Sequence, residues 1–183
     1  MEYIKKAANL QDYLLNDSYQ YFEMVVYTVV SFFIPLFLGH PQLIVGIVVN
    51  SLLIAAALNL KGMKLLPVII SPALGALTRG VLFGPFTIYL IYMIPFIWIG
   101  NAILVFSFKL LKLKLKRNYW IALIIGSVFK AGFLFSIAYI LYSLQILPVI
   151  FLTAMGLIQL TTALGGGIFA YGFQYTKKKL TLQ

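Results

Sequence analysis

Apolar runs of about 20 residues recur from Tyr19 to Thr176, separated by short polar or basic segments. At ~1.5 Å per helical residue, a run of that length crosses the ~30 Å hydrocarbon core of a bilayer. Hydrophobic residues make up 62% of the 183 positions, against about 45–50% in a soluble domain. The chain is therefore read as a single integral membrane domain, an all-α polytopic transmembrane six-helix bundle. The predicted spans are about 20–39, 41–60, 65–82, 86–109, 119–143 and 149–174.

The connections carry ordinary punctuation. Residues 1–18 are predicted to form a short amphipathic helix on the membrane surface, with Ile4, Ala7, Ala8, Leu14 and Leu15 near one face. No small-residue cleavage site follows an apolar stretch there, so this segment is not read as a removed signal peptide. Asn16-Asp17-Ser18 supplies helix-capping residues. His40-Pro41 and Gly84-Pro85 make tight turns, and Lys61 to Lys64 and Lys109 to Arg117 make basic loops. Tyr119 and Trp120 are predicted to form an interfacial belt.

Charge then sets the orientation. All four acids, Glu2, Asp12, Asp17 and Glu23, precede residue 24, whereas 12 of the 14 Lys/Arg, all but Lys5 and Lys6, follow it. With six spans, the clusters at 5–6, 61–64, 109–117 and 177–179 fall on one side. The positive-inside rule makes that side, and both termini, cytoplasmic. Ten of the 12 later cations are read as loop charge facing an anionic leaflet. Basic residues dispersed over short loops do not make a nucleic-acid site.

The other two, Arg79 and Lys130, lie within spans, where an ionisable residue is a candidate functional group. Counting along helices puts Lys130 roughly 15 Å beyond Trp120, Asn101 about 12 Å from Lys109 and Asn50 about 16 Å from Lys61. These three share a layer near the midplane if their helices face one another. Arg79 and Gln159 come out nearer the outer side. A cation in a membrane normally pairs with a carboxylate, yet none follows residue 23. The remaining partners are helix-end carbonyls, water, lipid phosphate, another subunit or an anionic ligand. For Asn50, Asn101 and Gln159 interhelical hydrogen bonding competes with ligand binding. Small residues at four-residue spacing (Ala76, Gly80 and Gly84; Ala163 and Gly167; Gly166 and Ala170) predict close helix packing.

Much chemistry lacks its parts. There is one histidine, no cysteine and no acid in the later spans, so no general base, metal set or catalytic residue is assigned, and no cofactor is expected. The chain is read as a non-enzyme. An embedded proton relay and an ATPase motif are both missing.

Over Pro67–Phe108 the text PVIISPALGALTRGVLFGPF, followed by IPFIWIGNAILVF, resembles the S components of energy-coupling-factor (ECF) transporters. The length and the six-span outline agree with that family. The resemblance implies capture of a micronutrient on the outer side of a prokaryotic plasma membrane. It also implies a coupling transmembrane subunit and two cytoplasmic ATPase subunits as partners. That family often docks its coupling subunit through an Ala-xxx-Ala motif in the first span. Residues 20–39 hold no alanine, which leaves Ala55, Ala56 and Ala57, or Ala7 and Ala8, as substitutes. No ligand contact carries over by motif. The expected binding residues, Arg79, Lys130, Asn101, Asn50 and Gln159, rest on charge and depth, and they favour a small anionic ligand. The alternative is a non-catalytic membrane anchor or assembly subunit, with its polar faces turned outward. A pore, needing a continuous wet path, is the third reading.

Overall fold

Long apolar runs with few breakers fold into helix throughout the described part of the chain. The computed structural model describes residues 6–12, 16–38, 41–83 and 86–181, with side chains except at 81–83 and 178–181. Seven α-helices lie among them: α1 (Asp17–Phe37), α2 (Gln42–Asn59), α3 (Leu65–Phe83), α4 (Thr87–Ser107), α5 (Tyr119–Ser143), α6 (Ile150–Met155) and α7 (Leu157–Thr181). Five stretches are long and apolar enough to cross a bilayer: α1, α2, Thr87–Lys114, α5 and Ile150–Lys177. That fits a multi-pass membrane protein. His40, Gly84-Pro85, Ile4, Leu14 and Leu15, each invoked above, lie outside the described residues.

The most extensive packing joins α2 with α7, α1 with α3, and α4 with α5. Glycines set these distances. A Cβ on Gly166 of α7 would lie 2.8 Å from the Ile47 carbonyl oxygen of α2, and one on Gly75 of α3 only 2.1 Å from the Phe32 carbonyl oxygen of α1. The α2–α7 seam is also bonded: Ser51 Oγ donates to the Gly166 carbonyl at 2.9 Å. The run Gly165-Gly166-Gly167 stays helical and serves close approach.

Five expectations need correction. Among the described residues the α-helices above number seven rather than six, because the last predicted span breaks at Gly156 (φ −98°, ψ −94°) between α6 and α7. A side chain there would meet the Leu152 carbonyl oxygen at 2.8 Å and the Phe135 ring at 2.9 Å, so only glycine fits the bend. The basic loop after α4 is shorter than expected. Phe108–Lys114 continues the helix in π form, and this wider winding turns Lys109 fully inward (0% exposed). The surface helix predicted over residues 1–18 does not run unbroken through the described residues 6–12. Residues 6–8 are helical, the chain at 10–12 is not, and Ala7 is 0% exposed, with the Asp12 amide donating to the Leu58 carbonyl at 2.9 Å. Tyr119 is buried, its hydroxyl donating to the Gly167 carbonyl at 2.7 Å, which leaves Trp120 as the exposed ring of that pair. Ala7, Ala55, Ala56 and Ala57 are likewise buried, so none offers an outward docking face.

The lysine-rich end is closed by polar contacts. Lys109 Nζ donates to the Leu60 carbonyl at 2.6 Å and to the Leu10 carbonyl, tying residues 6–12 across the end of α2. Beside it, Lys177 pairs with Glu23, Tyr27 donates to Glu23, Asn59 donates to Tyr27, and Gln174 donates to Asn59. Removing one member of such a pair leaves the other unmatched in low dielectric. Lys177 is near a helix end and can extend its stem toward water, whereas Glu23 is short and held by Tyr27. Lys177→Met is therefore expected to lower stability by roughly 3 kcal/mol, and Glu23→Gln by less. Denaturation in mixed micelles checks the order of the two.

Candidate functional site

Helical periodicity carries the polar residues inward. On α5, Ala122, Leu123, Gly126, Ser127, Lys130, Ala131, Leu134 and Ala138 form the buried stripe. Lys130 therefore shares its face with small and apolar residues. Asn50 lies on the buried side of α2, next to Val49 and one turn before Leu53 and Ile54, and Asn101 lies between Ile94 and Leu104 on α4. The three elements converge at one level.

Lys130 Nζ donates to Asn50 Oδ1 at 2.6 Å and to Asn101 Oδ1 at 2.9 Å. Both amides are held from behind. Asn50 Nδ2 donates to the Gly46 carbonyl at 2.9 Å and to Thr162 Oγ1 at 3.2 Å, and Asn101 Nδ2 donates to the Ile69 carbonyl at 3.0 Å. The Ile69 carbonyl lies in the turn before Pro72, whose missing N–H leaves the adjacent Val68 carbonyl without its intrahelical donor, and a carbonyl oxygen has a second lone pair to offer a side chain. Trp98 Nε1 fills the neighbouring Ile70 carbonyl at 3.2 Å. An ammonium has three protons, and among the described residues two acceptors meet those of Lys130.

Lys130, Asn50 and Asn101 line a cavity of about 600 Å³ whose lining extends from them toward Gln42, Arg79 and Thr87, away from the lysine-rich end, and Gln159 lines it too. The structure thus brings all five sequence-derived candidates to the walls of one cavity. Their circumstances differ. Lys130 is 2% exposed. Arg79 Nη1 donates to the Leu36 and Phe37 carbonyls, both at 3.1 Å, and so caps the C-terminal end of α1, where backbone carbonyls lack intrahelical partners. Gln159 sits one turn before Thr162 on α7.

The sequence reading passed over Thr162, Gln42 and Thr87, which also line this cavity. For Thr162 a signal existed: it lies three residues after Gln159, on the same helical face. Beyond the polar groups the lining is apolar, with Val45, Val49, Ala73, Leu90, Ile97 and Met155 among it. The volume is that of a small-molecule site, and the pattern of apolar walls with a few convergent polar groups is typical of one. No carboxylate lines the cavity, and no cluster of three or more His, Cys, Asp or Glu occurs among the described residues. The arrangement presents a cationic donor flanked by amide oxygens at the level of Asn50 and Asn101, with a second cation, Arg79, held against the α1 carbonyls further along the wall.

No family model matches this chain, and neither a curated protein nor a solved structure does so.

Proposed function

We propose that the chain is the substrate-capture subunit of an ECF-type importer, binding a small anionic micronutrient at its outer side. The observation that carries the reading is the convergence of the five intramembrane polar residues on one cavity. An assembly subunit would direct such residues at the lipid and a neighbouring chain. Here Lys130, Asn50 and Asn101 are buried against one another.

In this reading α3, 19 residues long, is the sixth span, α6 and α7 together make the last, and the lysine-rich end is cytoplasmic in a prokaryotic plasma membrane. Arg79 is compatible with a spanning α3 because carbonyls at the end of α1 accept from its guanidinium. The chain itself performs no reaction and holds no cofactor. Uptake is driven by a coupling membrane subunit and two cytoplasmic ATPases, and no nucleic acid is involved.

Mass spectrometry of small molecules released from gently purified protein tests the reading. Wild-type protein is expected to release a stoichiometric anion, and Lys130→Ala to release much less of it. Arg79→Ala should weaken retention less, through loosening of α1. Protein that is consistently empty and co-purifies with large membrane partners would move the assignment to an assembly role.

A further inference from the structure

The cavity changes chemistry along its axis. Its inner end carries Lys130 between Asn50 and Asn101, apolar Val45, Ala73 and Ile97 follow about one turn above, and the polar groups Gln42, Arg79 and Thr87 stand further out. Asn101 donates to the Ile69 carbonyl, which marks the level of the floor on α3. Arg79 lies ten residues further along that helix, so floor and mouth are ~15 Å apart. On α2 the eight residues from Asn50 to Gln42 give ~12 Å.

Only one of the two cations is placed to receive a ligand's charge at depth. Arg79 holds the terminal carbonyls of α1 at the mouth. Lys130 has its stem on the buried stripe of α5 and its amine at the floor, with no carboxylate on any wall. A buried cation without a counter-charge is costly, and a bound anion removes that cost where it is greatest.

We infer that the ligand is an elongated amphipathic monoanion, a carboxylic acid with an apolar body, which enters head first and seats its carboxylate on Lys130. The inference rests on the capture reading of the same cavity and adds the ligand's class and direction. The carboxylate accepts the remaining proton of Lys130 while the two amide oxygens stay on the amine. The apolar body then lies against Val45, Ala73 and Ile97, and a polar but uncharged tail is accommodated at the mouth. The reverse orientation sets apolar atoms against an ammonium and two amides. A second charge on a body shorter than the cavity falls in the apolar middle, with no partner.

The test uses full-length protein in lipid nanodiscs, with empty nanodiscs as reference. Calorimetry with straight-chain monocarboxylates from hexanoate to dodecanoate is run beside their primary amides and the corresponding α,ω-dicarboxylates. At least one monocarboxylate is expected to bind about 30-fold more tightly than its amide, the scale of a hydrogen bond to a charged group. Lys130→Met should abolish the preference, and Lys130→Arg should keep most of it. Equal binding of acid and amide, equal binding of the six- and eight-carbon dicarboxylates, whose second charge falls short of the mouth, or no binding of any monocarboxylate overturns the inference. The acid–amide comparison is made in wild-type protein, so a variant that fails to fold does not obscure it. The capture reading fails separately, if purified protein releases no small molecule at all.

Discussion

Replacing Lys130 by methionine is expected to leave a folded protein that binds the proposed monoanion at least about 30-fold more weakly. The two side chains have similar length, so the stem keeps its place on the buried stripe of α5. Two hydrogen bonds to Asn50 and Asn101 disappear, but both amide oxygens border a cavity where water can meet them. Loss of those bonds is offset by removal of a buried, unmatched cation, and the unfolding midpoint of the empty protein stays within a few degrees of wild type. Binding behaves differently. An anion entering the variant is buried without its partner, at a cost of about 2–5 kcal/mol, and each 1.4 kcal/mol is about tenfold in affinity. Equilibrium binding and thermal unfolding on the same preparations separate the two effects. A variant that unfolds while its residual folded fraction binds normally would make Lys130 a structural residue.

The second large effect concerns Gly75. A Cβ there would sit 2.1 Å from the Phe32 carbonyl oxygen and 2.9 Å from its carbon. Backbone atoms cannot rotate away, so α1 and α3 must separate. Separation breaks the contact between the Ser31 and Ser71 hydroxyls one turn below and strains the Arg79 bonds one turn above. Gly75→Ala is expected to cost about 3 kcal/mol, the upper range for overpacking. Gly75→Val should prevent recovery of folded protein. Gly132 and Gly172 are the internal controls, since a Cβ at either meets nothing within 4 Å. Alanine at those positions should stabilise by up to ~1 kcal/mol through helix propensity. Denaturation midpoints of the three alanine variants give the comparison, and an undisturbed Gly75→Ala would mean that α1 and α3 are not in close contact.

Depth was readable from the sequence and rotation was not. Counting residues from the flanking lysines places Asn50, Asn101 and Lys130 at one level because helical rise is fixed. Whether they meet depends on how α2, α4 and α5 turn about their axes, which packing decides. Arg79 shows the same limit: its position near a helix end was legible, but its partners on α1 belong to tertiary contact. Lys109 was misread for a different reason. Lysines at alternate positions after it resemble a solvated loop, yet Phe108, Leu110, Leu111 and Leu113 sustain the helix, and a π turn swings one lysine into the interior. Gly156 was hidden among apolar neighbours, because a glycine in a span signals close packing as readily as a break.

The floor of the cavity has an electrical consequence. Beneath Lys130 lie Leu53, Ile54, Val68, Leu104 and Phe108, all buried, and beyond them the Lys109 and Glu23–Lys177 contacts close the far end. A well that ends in hydrocarbon has no file of water along which ions or protons could pass. A membrane crowded with this protein would keep its voltage and its proton gradient, and patch or liposome recordings should find no conductance. In the proposed uptake role, a ligand seated in the well would leave by movement of the helical frame rather than through its base.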